Sequence, residues 1–360
     1  MNLPLDTVAA IDRRTRALER VGDILALMLG TALVAALLWG LGDVLLLVFA
    51  AALLAVLLRG GADLLSKKLG GSPLVWLAAI ILAIAVTIGA AGWLRGPVLV
   101  AEARQIYGQI FEQLRTVWDR YGQAEWMQPV VDRVKGFLGE GSQRFAGIAA
   151  GVGTTTLGGL GSLVVMLVTA IYFAIDPGLY VEGSLRLLPR SWRRRGGEVM
   201  YGIGHTLRWW FLGQLVDMVA IGLLTGLGLY VLGVKLAFTL ALIAALFNFV
   251  PYVGALAGAV PAVLVAFGQG PQMAGYVALL FVAVQTLEGN VIAPLIQKQT
   301  VELAPVLTIL SQTVLGSLFG PLGLILATPL TAAGVVAVRK IYVEDVLGDV
   351  EPASAAGGMS

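Results

Sequence analysis

From Leu236 to Phe267 the chain carries no charged side chain, yet the run is interrupted near its middle by NFVPYVGALAGAVPA, residues 248–262. No other feature restricts the fold so strongly. Lipid offers no partner to bare peptide groups, so a segment this apolar has to satisfy its backbone within a helix. Proline removes a donor and collides with the preceding turn, and glycine is a weak helix former, so the helix must break here. Each half, roughly 236–249 and 253–268, falls short of the ~20 residues that cross a hydrocarbon core. The pattern predicts a re-entrant hairpin that enters after Lys235, turns between Asn248 and Gly254, and leaves on the same side near Gln269. Two short complete spans are the alternative. Non-helical backbone at that depth is tolerated only where protein shields it or where it lines an aqueous cavity.

The last apolar run, 303–338, repeats the pattern. LAPVLTILSQTVLGSLFGPLGLILATPL is expected to break between Gly316 and Gly323, with Pro321 in the middle. The segment 272–296 separates the two broken runs, so the second hairpin would enter from the face opposite the first. Oppositely directed discontinuous helices around a midplane site are a signature of secondary transporters. Pro251, Gly254, Pro261, Gly320, Pro321, Gly323 and Pro329 are read as the residues that set the breaks.

The rest of the sequence fits this frame. Hydrophobic residues make up 58% of the 360 and charged residues 13%, against about 25% charged in soluble domains. The fold class is all-α and polytopic, with about six full spans and the two broken runs. Full spans are expected near 22–40, 44–58, 74–94, 147–175, 209–232 and 272–296. Residues 1–21 form an amino-terminal segment without the apolar core of a secretory signal, expected to be retained and cytoplasmic. Residues 22–94 hold the first spans, 95–145 an extracytoplasmic segment, 146–338 the core with a cytoplasmic loop at 176–208, and 339–360 a tail. Arg13, Arg14, Arg16, Arg20, Arg59, Lys67, Lys68, the Arg193–Arg195 run, Lys298, Arg339 and Lys340 fall on one side of this layout. That side should be the cytoplasm, with both termini on it.

Within 95–145, LVAEARQIYGQIFEQLRTVWDRYG places Val100, Ala103, Ile106, Tyr107, Ile110 and Leu114 at helical spacing. This is an amphipathic helix whose stripe needs the membrane surface, its own neighbours or another subunit. Gly122 and Pro129 allow a turn into a second helix. The opening of the fourth span, GIAAGVGTTTLGGLGS, is rich in small residues that permit close helix packing. SWRRR in the loop fits topology and anionic headgroups better than nucleic acid.

Ionisable residues within spans cost about 2.5–3.5 kcal/mol on insertion scales, which makes each a candidate for function. Glu288 leads. Gln285 lies one turn before it on the same face, Asn290 is near, and Pro294 frees a carbonyl beyond. A carboxylate there can bind a cation or carry a proton. Asp217 shares a face with Gln214 in the same way. Asn248 at the first break and Gln312 near the second are suited to hold freed backbone groups or to touch a solute.

Catalysis finds no support. The chain has no cysteine and one histidine, His205, so no zinc or haem cofactor is expected and none other is implied. GLGD at 40–43 falls in a turn between spans, and GVGTTTLGG follows no strand, so it is not a nucleotide loop.

The stretches YFAIDP (172–177), LLP (187–189), GQL (213–215), FNFVPYVG (247–254) with Pro261 beyond, QTLEGNVIAPLI (285–296) and FGPLGLILATP (319–329) resemble the autoinducer-2 exporter family of bacterial inner-membrane proteins. The likeness covers about 170–338, while the first 145 residues match in layout only. Lys298, Ala304 and Ala255 depart from the family pattern, and Asp217 is acidic where an apolar residue is the norm. The resemblance implies export of a small solute across the plasma membrane, of the kind associated with autoinducer-2 or with sodium–proton exchange, by a homo-oligomer. A passive oligomeric channel and a membrane scaffold binding a partner through the 98–121 helix are the rival expectations.

Overall fold

The computed structural model describes residues 40–121, 161–297 and 303–348, and among these all regular structure is helical. The chain divides into two units, Met1–Leu47 and Val48–Ser360. Of the first, only the start of helix α1 (Gly42–Leu69) is described. The second holds the rest: α2 (Pro73–Tyr121), α3 (Gly161–Ile175), α4 (Pro177–Arg186), α5 (Arg193–Val231), α6 (Ala237–Phe247), α7 (Val253–Phe267), α8 (Pro271–Leu287), α9 (Ala293–Gln297) and α10 (Pro305–Val338). Five helices among the described residues are long and apolar enough to cross a membrane, or six if the bent pair α3–α4 counts as one. The expected span at 22–40, the residues 122–160 and Lys298 lie outside the described residues.

Both broken runs fold back on themselves. Between α6 and α7 the chain reverses at 248–252, where Tyr252 has φ 63 and ψ −57 and the Val253 amide reaches the Pro251 carbonyl at 2.7 Å. That is a γ-turn with positive φ, a strained conformation for a residue with a side chain. The two arms then touch backbone to backbone. A Cβ at Gly258 would lie 2.8 Å from Ala244 Cα, and one at Gly254 would overlap the Phe247 carbonyl.

Helix α10 is two helical arms joined at a kink, where Gly320 has φ 63 and ψ −146, outside any helix. The fold-back is shown by Gln312, whose Nε2 lies 3.3 Å from Thr328 Oγ1 across sixteen residues. A straight helix would separate them by about 24 Å. Here too glycine permits the approach, since a Cβ at Gly323 would overlap the Leu315 carbonyl.

The structure thus divides the roles expected of the prolines and glycines. Pro251, Gly320 and Pro321 stand at the breaks, and Gly254 and Gly323 are points of contact between arms. Pro261 and Pro329 lie inside helices that continue past them, where each costs one intrahelical bond without ending the helix.

Helix α5 is the spine between the hairpins. Gly222 and Gly226 let α6 approach so closely that added Cβ atoms would sit 3.0 and 3.1 Å from those of Ala245 and Ala241. Near the end of α5, Leu229 packs with Leu240, Ala262, Val265 and Val277 in one core cluster at the base of the first hairpin. The base of the second hairpin lies at the other end of α5, where Val336 and Lys340 face Gly202. The hairpins therefore approach from opposite ends of α5.

Two segments have more regular structure than the layout alone conveys. Within 176–208, Asp176 caps α4 by accepting the Leu179 amide at 3.2 Å, a short 3₁₀ turn follows at Arg190–Trp192, and α5 begins at Arg193. The amphipathic segment is also no separate element, because α2 continues through Pro97 for 49 residues. At 1.5 Å per residue it is about 73 Å long, more than twice a ~30 Å hydrocarbon core, so its later half must leave the membrane. Ile106 there is buried in the cluster at the base of the first hairpin, and Thr239 Oγ1 donates a hydrogen bond to Glu102. Of the partners open to that stripe, the chain's own hairpin takes this part.

Candidate functional site

Where the tip of the first hairpin meets α5, the second hairpin and the end of α8, a cavity of about 210 Å³ opens. Four of the seven polar candidates line it: Gln214 and Asp217 from α5, Gln285 from α8 and Glu288 just past its end. Each pair is spaced by three residues, which puts both members on one helix face. Gln285 Nε2 donates to Glu288 Oε2 at 2.6 Å, and Gln214 Nε2 donates to the Asn248 carbonyl at 2.7 Å.

Asn248 and Gln312 stand behind this lining and hold its shape. Both are buried, at 2% and 3% exposure. Asn248 Nδ2 donates to Asp217 Oδ2 at 2.7 Å. Gln312 Nε2 donates to the Pro251 carbonyl at 3.1 Å and to Thr328. The freed carbonyls of the first turn are thus satisfied by side chains from two other elements, as buried backbone requires. Each hairpin stabilises the other at this point.

Asp217 is only partly satisfied. Its Oδ1 is buried and has no hydrogen-bond partner, although the residue lines the cavity. A carboxylate oxygen in that condition has the chemistry of a ligand for a cation or a proton.

Glu288 opens a π-helical turn, Glu288–Ile292. Pro294, four residues after Asn290, has no amide to return to the Asn290 carbonyl, and Gly289 eases the widening. Such wide turns recur at functional positions. Asn290 takes no part in the cavity: its Nδ2 bonds back to the Thr286 carbonyl at 2.8 Å on the exposed side of its own helix.

Sequence reasoning missed Thr308 and Thr328, buried hydroxyl residues in the lining, and the strained Tyr252. Thr308 precedes Gln312 by four residues, a helical spacing that carried a usable signal. Among the described residues, no three acidic, histidine or cysteine side chains converge to hold a metal ion.

Several membrane-length helices, two helical hairpins and a polar cavity at their meeting define a polytopic membrane protein of the transport class. The chain belongs to the AI-2E transporter family, whose model matches residues 24–342. Among curated proteins it is similar to YueF of Bacillus subtilis strain 168, a candidate transport protein, with 34% identity over 48% of this chain and 47% of that protein. YrrI of the same strain, similarly named, is 32% identical over 45% and 46% of the two chains. YhhT of Escherichia coli K12, also a candidate transport protein, is 29% identical over 54% of each. The matches span about half the length of these relatives.

Proposed function

We propose that the protein is a secondary active exporter of a small solute across the bacterial inner membrane, with both termini cytoplasmic. The reading rests on one observation: the two hairpins meet at a cavity that holds two carboxylates and little positive charge. The solute class is a small signalling molecule of the autoinducer-2 kind or a cation, and coupling is to protons or sodium. Glu288 and Asp217 carry the coupling ion, one on each wall, while Asn248 and Gln312 keep the hairpin tips in register. No chemical conversion is assigned, so the protein is a carrier rather than an enzyme, and homo-oligomeric assembly is part of the reading.

Binding at a site near mid-depth, flanked by hairpins from opposite ends, suits alternating access, because either hairpin can close one route. A passive channel would use the same cavity without coupling. Proteoliposomes with imposed proton or sodium gradients test this. Gradient-driven flux should fall at least tenfold in Glu288→Gln, the factor about 1.4 kcal/mol of lost coupling gives. Unchanged flux in both Glu288→Gln and Asp217→Asn would remove the carboxylates from the mechanism.

A further inference from the structure

A second and larger cavity, of about 490 Å³, lies between α1, the bend from α3 into α4, and the first turns of α5. It shares no lining residue with the site above, and its volume is within the ~300–1,000 Å³ of small-molecule sites. Its lining divides in chemistry: Val48, Ala52, Val56 and Phe173 are apolar, and Arg59, Asp63, Tyr201, His205 and Arg208 are polar or charged. The change follows α1 itself, whose uncharged stretch ends at Arg59. A chain read this way passes there from hydrocarbon to headgroup depth.

The two arginines are engaged differently. Arg59 donates from Nε to Asp63 at 3.1 Å and from Nη1 to the carbonyls of Ala174 and Ile175 at 3.2 and 3.0 Å. It closes the end of α3, and its charge is matched by Asp63. Arg208 donates from Nη2 to the Gly60 carbonyl at 2.9 Å. Among the described residues no carboxylate pairs with it. Gly60 has no room for a Cβ against the Arg208 guanidinium, so α1 and α5 fix that group at the wall. A held, half-buried cation bonded to a neutral carbonyl beside an apolar channel calls for an anion.

We propose that this cavity binds one anionic phospholipid from the adjoining leaflet, its phosphate on Arg208 and its acyl chain along the Val48, Ala52 and Val56 face of α1. The apolar lining distinguishes a lipid from a free anion, and a guanidinium that no carboxylate among the described residues neutralises distinguishes an anionic lipid from a zwitterionic one. Gly204 offers a means of testing occupancy, because a Cβ there would meet nothing within 4 Å.

The full chain in detergent is loaded with phosphatidylglycerol or phosphatidylcholine and examined by native mass spectrometry. Phosphatidylglycerol should be retained about fivefold better, the effect of one basic residue on an anionic headgroup. Arg208→Gln, which keeps a donor for Gly60, should bring the two lipids to parity, and Arg208→Lys should preserve the preference. Gly204→Leu should lower retention of both. Equal retention by the native protein, or native binding by Gly204→Leu, overturns the proposal. So does displacement by inorganic phosphate, which would mark a small-anion site. Efficient cross-linking of Ala52→Cys to a cysteine placed within residues 22–40 would show the chain filling its own cavity, and also overturns it.

Discussion

Asn248 Nδ2 and Asp217 Oδ2 lie 2.7 Å apart in the buried interior, joining the tip of the first hairpin to the middle of α5 across thirty-one residues. The bond settles two problems together. A strained turn gains an anchor, and a buried carboxylate gains a donor. Replacing Asn248 by Ala removes a hydrogen bond to a charged group and leaves Asp217 with no donor. We expect a loss of about 2 kcal/mol, seen as a drop of several degrees in the thermal melting of the detergent-solubilised protein. Asp217→Asn, which keeps the shape, should lose less. Equal melting of Asn248→Ala and the native chain would show that the bond does not hold the hairpin.

The glycines at the arm contacts give a sharper contrast. Gly254→Ala and Gly323→Ala drive a methyl group into the carbonyls of Phe247 and Leu315, and overpacking of this kind costs about 1–3 kcal/mol or more. Gly275 in α8 has open space around its Cβ position, so Gly275→Ala should be neutral or stabilising by up to ~1 kcal/mol. Yields of folded protein and melting temperatures should separate the two groups.

The fold-back of α10 is directly testable because the native chain has no cysteine. A Cβ at Gly316 would lie 3.6 Å from Leu324 Cβ, within disulfide range. In a continuous helix eight residues span about 12 Å. The double variant Gly316→Cys/Leu324→Cys should therefore form an intramolecular disulfide on mild oxidation, read by mass spectrometry before and after reduction. Only free thiols would be found if the run were one straight span.

How far the sequence exposes this arrangement depends on the range of each interaction. Both breaks are visible because proline and glycine act locally, and the face shared by Gln285 and Glu288 is visible because helical spacing is local too. Asn248 with Asp217, and Gln312 with Pro251, are pairings across distant segments that no spacing encodes. Thr308 and Thr328 come together only once Gly320 reverses the chain. Asn290 is near Glu288 in sequence, but two residues along a helix place it on the opposite face, where it bonds to Thr286. The helices within 176–208 were not legible because its arginines signal topology and say nothing about local backbone.

At the far end of α5, Arg195 binds Glu198, Glu344 and Asp345 at 2.8–2.9 Å and the Lys340 carbonyl at 2.6 Å. The cluster precedes the apolar part of α5 that starts at Trp209, in which Asp217 is the one charged side chain. The bond to Asp345, followed by those to Glu344 and Glu198, raises the affinity of Arg195 for its proton. The bond from Arg195 in turn holds the Glu198 carboxyl below its ordinary value. A carboxylate depressed in the folded state contributes stability above its unfolded pKa and loses it as pH falls through the folded value. The segment Arg339–Glu344 should resist trypsin at neutral pH and become open to pepsin only well into the acid range. Arg195→Ala should expose Lys340 to trypsin already at neutral pH, while Arg194→Ala, with its exposed partner, should not.

Helix α2 crosses from its start at Pro73 to the base of the first hairpin without a joint, and Ile106 and Glu102 grip that base. A rod of this kind transmits torque. A load applied to its far end would act on the hairpin's root rather than on a slack tether.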